Sequence, residues 1–278
     1  MKRLIALAAL LTLWFSLGRA WAAEATFDRV LTVNGKVDLK VETSAGIIRL
    51  TRGSDSRLHI FGRVRSDWGG SSGKAAEIAS HPPIEQTGNI VRIGASLHDL
   101  HNIWIDYEIE APAGTILDAE TGSGDINDDG VGVDSKFSTG SGSIHLTGLT
   151  GAFSAETGSG SIYAEQTSSG DVKAETGSGS IELRNLNGAL KAETGSGSIK
   201  VAGTPTGPWK LGTGAGSVEF WSGNAGFTLE AETGMGSVQV DRQISSTQEQ
   251  SRKEVKGKIG GGGPLVKIET GMGSIHIH

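Results

Sequence analysis

Any chemistry in this chain must come from carboxylates, imidazoles, hydroxyls and amines, because its 278 residues include no cysteine. Disulfides, thiolate metal sites, cysteine nucleophiles and a lipid-anchored leader are thereby excluded. The run Asp125-Ile126-Asn127-Asp128-Asp129-Gly130 matches the first half of an EF-hand loop. Such a loop closes on a bidentate Glu at its twelfth position, which here is Lys136. The expectation is an acidic turn, with Asp125, Asn127 and Asp129 as a weak calcium candidate. His98 and His101 lie near Asp99 and Asp106, and His276 and His278 alternate at the far end. Either pair could share a metal ion, but sequence spacing supplies no third donor. No metal site, catalytic residue or cofactor is therefore expected. Gly-x-Gly turns such as Gly122–Gly124 echo phosphate-binding loops, yet they open strands rather than helices, so no helix N-terminus awaits a phosphate.

The remaining chemically able residues recur. Glu120, Glu156, Glu175, Glu193, Glu232 and Glu269 recur at the repeat spacing, and a lysine column, Lys173, Lys191, Lys210 and Lys267, stands two residues before the glutamate position. Like charges stacked on neighbouring strands repel, and interleaved lysines offset them. A solvated ladder of ion pairs is the plain reading. Lys173, Glu175, Lys191, Glu193 and Lys210 are the candidate binding face.

These columns belong to a repeat, Glu-Thr-Gly-Ser-Gly-Ser-Ile, whose threonines fall at 121, 139, 157, 176, 194, 213, 233 and 270. An early copy sits at Thr43 and a degenerate half-period copy at Thr167. The spacings are 18, 18, 19, 18, 19, 20 and 37. The last, about two periods, implies one coil that has lost its signature or been remodelled. Apolar residues stand four and two before nearly every Thr (Leu190, Ala192) and five and seven after it (Ile199, Val201), with polar residues between. Period-two alternation on both sides of a glycine turn makes each side a short, half-buried strand. Parity turns the Thr itself inward.

Two strands and two turns in about 18 residues cannot bury an inner face alone, but stacked copies can. The expected fold is all-β: a right-handed parallel β-solenoid, β-helix-like, of ~18-residue two-strand coils. About eight coils at ~4.8 Å would give a rod section of roughly 38 Å. Residues 24–112 carry strand-like runs interrupted by an irregular stretch with a short helix at Lys74–Ala79, and read as a less regular β-rich start or cap. Residues 113–278 form the regular repeats, with a polar excursion at 242–263.

Residues 1–22 read as a signal peptide. Lys2 and Arg3 lead the apolar run Leu4–Leu17, and Ala20-Trp21-Ala22 offers the small residues a signal peptidase needs. No later segment is apolar enough to span a membrane. The chain is thus expected outside the cytoplasm, in the periplasm or at the cell surface or beyond. There are 31 acidic against 25 basic residues, which argues against a nucleic-acid partner. The 43 glycines keep no three-residue period, which excludes collagen.

The repeat series, the leader, the entry Ala111-Pro112-Ala113-Gly114-Thr115-Ile116-Leu117 and the ending from Gly260 to Ile275 resemble the bacterial "putative adhesin" family of β-strand-repeat domains of unknown function. The resemblance covers about residues 35–278. It implies an exported β-solenoid of the cell envelope and brings no catalytic residues to transfer. Two functions follow. One is a non-catalytic structural or interaction protein whose repetitive polar face binds glycan or envelope protein through many weak contacts. The other is a polysaccharide-active enzyme on a β-helix, which would need a local cluster of acids and long loops walling a cleft.

Overall fold

Alternation of apolar and polar residues around glycine turns resolves into 23 strands and one helix in the computed structural model, which describes residues 23–66, 72–94 and 103–278. The leader reading and the His98–His101 pair lie outside the described residues. The chain begins with β1 (Ala23–Thr32), β2 (Asp38–Ala45), β3 (Ile48–Arg52) and β4 (Arg57–Ser66), then α1 (Ser72–Ser80), β5 (Ile84–Thr87), β6 (Ile90–Ile93) and β7 (Ile103–Ala111). The repeats supply β8 (Ile116–Ser123), β9 (Ile126–Asp129), β10 (Asp134–Ser141), β11 (Ile144–Leu149), β12 (Ala152–Ser159), β13 (Ile162–Gln166), β14 (Val172–Ser178), β15 (Ile181–Ser196), β16 (Ile199–Ala215) and β17 (Val218–Trp221). The chain ends with β18 (Phe227–Met235), β19 (Val238–Val240), β20 (Ile244–Gln250), β21 (Glu254–Ile259), β22 (Leu265–Met272) and β23 (Ile275–Ile277). Among the described residues no helix is long and apolar enough to cross a membrane.

Parallel pairing brings like residues over like. In one ladder Thr43, Thr121, Thr139, Thr157, Thr176, Thr194 and Thr213 are successive partners. In the other Ile48, Ile126, Ile144, Ile162, Ile181, Ile199 and Val218 are. The expected inner columns are buried, with Ile162, Ala174, Leu190 and Val201 at most 4 % exposed. The threonines are buried too, and each hydroxyl works between rungs. Thr176 Oγ1 donates to the Gly160 carbonyl at 2.9 Å and Thr194 Oγ1 to Gly179 at 2.9 Å. The glycine three residues after each Thr is obligatory. A Cβ on Gly160 or Gly179 would sit 2.0 Å from the carbonyl oxygen of the glycine one rung before.

The order of the stack is not the order of the sequence. At the start, β2 and β3 pair directly with β8 and β9, so the segment between is an excursion that returns to the same end. That excursion adds β6 beside β2 and β7 beside β3, both parallel, then turns antiparallel as β5 pairs β6 and as β4 pairs both β7 and β1. Helix α1 packs on β1 and β4 with Ala75 and Ile78 buried.

At the other end, where a coil was expected to have lost its signature or been remodelled, the stack is reordered. The rung after Thr213 is Thr270, and Thr233 lies beyond it. The chain overshoots by one rung with β18 and β19. It then makes the antiparallel hairpin β20–β21 on the outer edge of β18 and returns. On return β22 fits between β16 and β18, and β23 between β17 and β19. The 37-residue spacing therefore holds the rest of the Thr233 rung, the hairpin and the return into β22, and the two rungs are laid down in reverse order. The hydroxyl ladder keeps the spatial order, with Thr270 donating to Gly216 and Thr233 to Gly273. Gly260 and Gly262, at φ +61° and +77°, allow the tight return that any other residue would resist. Val238 and Val240 are only half-buried because β19 has a parallel partner on one side alone.

Candidate functional site

The Lys and Glu positions are outward by parity, and parallel register sets them side by side. Lys173 Nζ lies 2.7 Å from Glu156 Oε1 on the preceding rung and 3.0 Å from Glu175 Oε2 on its own. Lys191 repeats the pattern with Glu175 at 2.6 Å and Glu193 at 3.1 Å, and Lys210 meets Glu193 at 2.6 Å. The result is one continuous chain of alternating charge, Glu156–Lys173–Glu175–Lys191–Glu193–Lys210. It stops where Gly212 occupies the glutamate position. The hydrogen bond from Lys191 holds the Glu175 carboxyl below its ordinary range against the opposing effect of burial, and Lys210 does the same for Glu193. Both carboxyls are thus firmly ionised.

Beside the glutamates runs an open groove of about 700 Å³, lined by Glu156, Glu175 and Glu193 and floored by Gly158, Gly177 and Gly195. The groove follows from rung packing. A Cβ on any of these three glycines would lie 2.6 Å from a carbonyl oxygen of the rung before, so the row must stay without side chains. Of the five residues of the expected binding face, Glu175 and Glu193 line this groove, and Lys173, Lys191 and Lys210 pair with its glutamates.

The calcium candidates fare differently. Asn127 and Asp129 lie on β9, which is extended, so Asp125 and Asp129 stand about 13 Å apart along the backbone. One ion cannot bridge them. Both carboxylates already have protein donors, since Asp125 Oδ1 accepts from the Ser143 amide and Asp129 Oδ1 from the Thr147 hydroxyl. Between them, Asp128 faces inward, stacked between Leu50 and Leu146. Its Oδ1 accepts from the Val131 amide at 2.9 Å, and its Oδ2 is buried with no partner. Burial, with Asp129 close by and against the help of that amide, pushes its pKa up to about 8. Parity alone marks Asp128 as the acidic member of an apolar column.

The C-terminal histidines gain the partner that spacing did not reveal. His276 on β23 and His278 just after it lie close together, and Asp241, just past β19, lies against both. Asp241 Oδ2 is 2.7 Å from His276 Nε2 and 3.4 Å from His278 Nδ1. Gln239 Nε2 donates to Asp241 Oδ1 at 3.0 Å, and Trp221 stacks on His278 at 4.7 Å with planes 4° apart. Asp241 is 35 residues before His276 and reaches it only because β23 enters the stack beside β19.

The Toastrack DUF4097 family profile matches residues 105–278. A search of the curated proteins returns no match. Among solved structures, a "putative adhesin" from Bacteroides fragilis NCTC 9343 is 12 % identical, with 91 % of this chain and 97 % of that chain covered at a TM-score of 0.38. A "putative lipid binding protein" from Parabacteroides distasonis ATCC 8503 is 10 % identical, with 91 % and 96 % covered at a TM-score of 0.33. Both scores are low, so the family match alone carries the assignment.

Proposed function

The chain belongs to the Toastrack DUF4097 family, a domain of unknown function, and from that premise we propose an exported, non-catalytic interaction protein of the cell envelope. It acts in the periplasm or at the cell surface, and binds glycan or envelope protein through its repetitive polar face. The scaffold is read as a right-handed solenoid of two-strand coils near 18 residues, the hand expected of parallel crossovers. The observation that carries the reading is the groove beside the Glu156–Lys210 charge chain. It repeats identical donors and acceptors at the strand spacing of ~4.8 Å, comparable to the step of a sugar along an extended glycan. Each carboxylate can accept two hydroxyls, each ammonium donates, and the bare glycine floor lets a chain lie close. Contacts that are weak singly then sum along the groove.

The same electrostatics speak against hydrolysis. Acid catalysis of glycoside cleavage needs a carboxyl kept protonated beside an ionised one. In the groove, Glu175 and Glu193 are both pushed toward the ionised form. Among the described residues, the carboxyl pushed up is Asp128, sealed in the core at 2 % exposure. A glycan array and an envelope pull-down with the exported chain test the proposal, with Lys173→Ala, Lys191→Ala and Lys210→Ala combined as the control. Binding to an extended glycan or a defined envelope component that the triple variant loses is the expected result. Binding that the triple variant keeps, or none in either assay, overturns the groove as the interaction face.

A further inference from the structure

We propose that Asp241, His276 and His278 form a binding site for a first-row divalent metal ion of the zinc class. The three donors come from two neighbouring rungs, and one ligand atom from each can be chosen so that all lie within 4.8 Å of one another. Four-coordinate zinc with bonds of ~2.0–2.1 Å holds its donors about 3.3 Å apart. The Asp241–His276 and Asp241–His278 separations of 2.7 and 3.4 Å bracket that value. Small side-chain rotations suffice to replace the direct His–Asp contact by a shared ion.

The surroundings resemble those of a metal centre. Gln239 donates to the Asp241 oxygen that faces away from His276, the kind of outer contact that orients a metal-ligating carboxylate. Trp221 lies flat against the His278 ring and fixes its plane. Asp241 is exposed and both imidazoles are half-buried, so the ions enter from solvent and a fourth position stays open to water. Two nitrogens and one oxygen suit zinc, copper or nickel better than calcium, which takes oxygen ligands.

Among the described residues, the imidazole–carboxylate group at His59 differs in this respect. His59 turns Nε2 to Asp28 at 2.8 Å and Nδ1 to Glu110 at 3.7 Å, so its carboxylates lie on opposite sides of the ring and do not converge. Position gives the ion a purpose. It would tie the inserted β23 to the end strand β19, closing the C-terminal place where the stack is assembled out of sequence order.

The test uses the full chain, purified without a histidine tag and stripped with a chelator. Zinc is titrated against a chromophoric competitor, and amide exchange is followed with and without zinc. One zinc per chain is expected, with slower exchange in β19 and β23 and none of that protection in β8 and β9. His276→Gln, His278→Gln and Asp241→Asn should each weaken binding by about tenfold or more. Asp241→His, which restores a donor, should bind, and His59→Gln should bind as the parent does. Circular dichroism of each variant, matching the parent, shows that lost binding is not lost folding. The proposal is overturned by no saturable binding up to about 0.1 mM zinc, by affinity unchanged in the three variants, by loss on His59→Gln, or by protection elsewhere.

Discussion

Asp128 is the residue that breaks its own column. Leu50 and Leu146 flank it in register, yet a carboxyl is buried there with one oxygen unpartnered. Its pKa of about 8 lies above the unfolded value near 3.8, so the folded chain holds a proton that the unfolded chain has lost between those limits. Stability from this group is therefore full below about pH 4 and falls as pH rises toward about 8, by on the order of a few kcal/mol. Asp128→Asn should flatten that slope in thermal melts. Asp128→Leu should flatten it and raise the melting temperature as well, by restoring the apolar column. Melts of the parent that are independent of pH between about 5 and 8 would contradict the buried acid. The threonines are the opposite case, polar groups whose burial is compensated. Thr176→Val keeps the shape and removes the 2.9 Å bond to the Gly160 carbonyl. It should cost about 1 kcal/mol, read as a lower denaturant midpoint at unchanged slope.

At the scale of strands, the Lys–Glu chain contributes little to holding the rungs together. Its side chains are about a third or more exposed, with Lys191 at 42 % and Glu193 at 33 %, so solvent and salt screen each pair. Replacing Lys173, Lys191 and Lys210 by Ala should lower stability by less than about 1 kcal/mol per site, a loss that shrinks in high salt. A drop of several kcal/mol would show the ladder to be a structural seam instead of a binding face. Strand positions and facing were legible because period-two alternation survives in most copies, as in Leu190-Lys191-Ala192-Glu193-Thr194. The strand-like runs of residues 24–112 that include β3, β4 and β6 were legible for the same local reason, and the short helix expected at Lys74–Ala79 lies within α1. What alternation cannot show is which edge a strand meets. Nothing local distinguishes β22 as a strand that ends the stack from one that enters it, because Lys267, Glu269 and Thr270 fit either place. The Asp241–His276 contact was hidden with it. The acidic run is the converse: its residue types suggested a turn, whereas Ile126 and the parity of the columns mark it as a strand.

For the whole molecule, stability should come close to a sum of rungs and their nearest-neighbour interfaces. Deleting Thr176 to Glu193 rejoins Glu175 to Thr194 in frame and should leave a folded, shorter protein. Deleting Thr176 to Arg184 removes half that length, mismatches the two ladders and should be far more damaging by circular dichroism and melting. Equal collapse of both would refute the repeat unit. The reversed order at the C-terminus makes a sharper claim. In a stack laid down in sequence order the last strands form the free end and fray first. Here β22 has β16 on one side and β18 on the other, and β23 lies between β17 and β19, whereas β19 has one parallel neighbour and β20 pairs only with β21. Amides of residues 265–277 should therefore exchange with solvent more slowly than those of residues 238–250, although they come later in the chain. The buried Ile268, Ile275 and Ile277 and the Thr270 hydroxyl bond to Gly216 add to that protection. Hydrogen exchange followed by mass spectrometry of peptides from the two segments decides the matter. Faster exchange at 265–277 would place the final strands at the end of the stack and remove the reason Asp241 meets the two histidines.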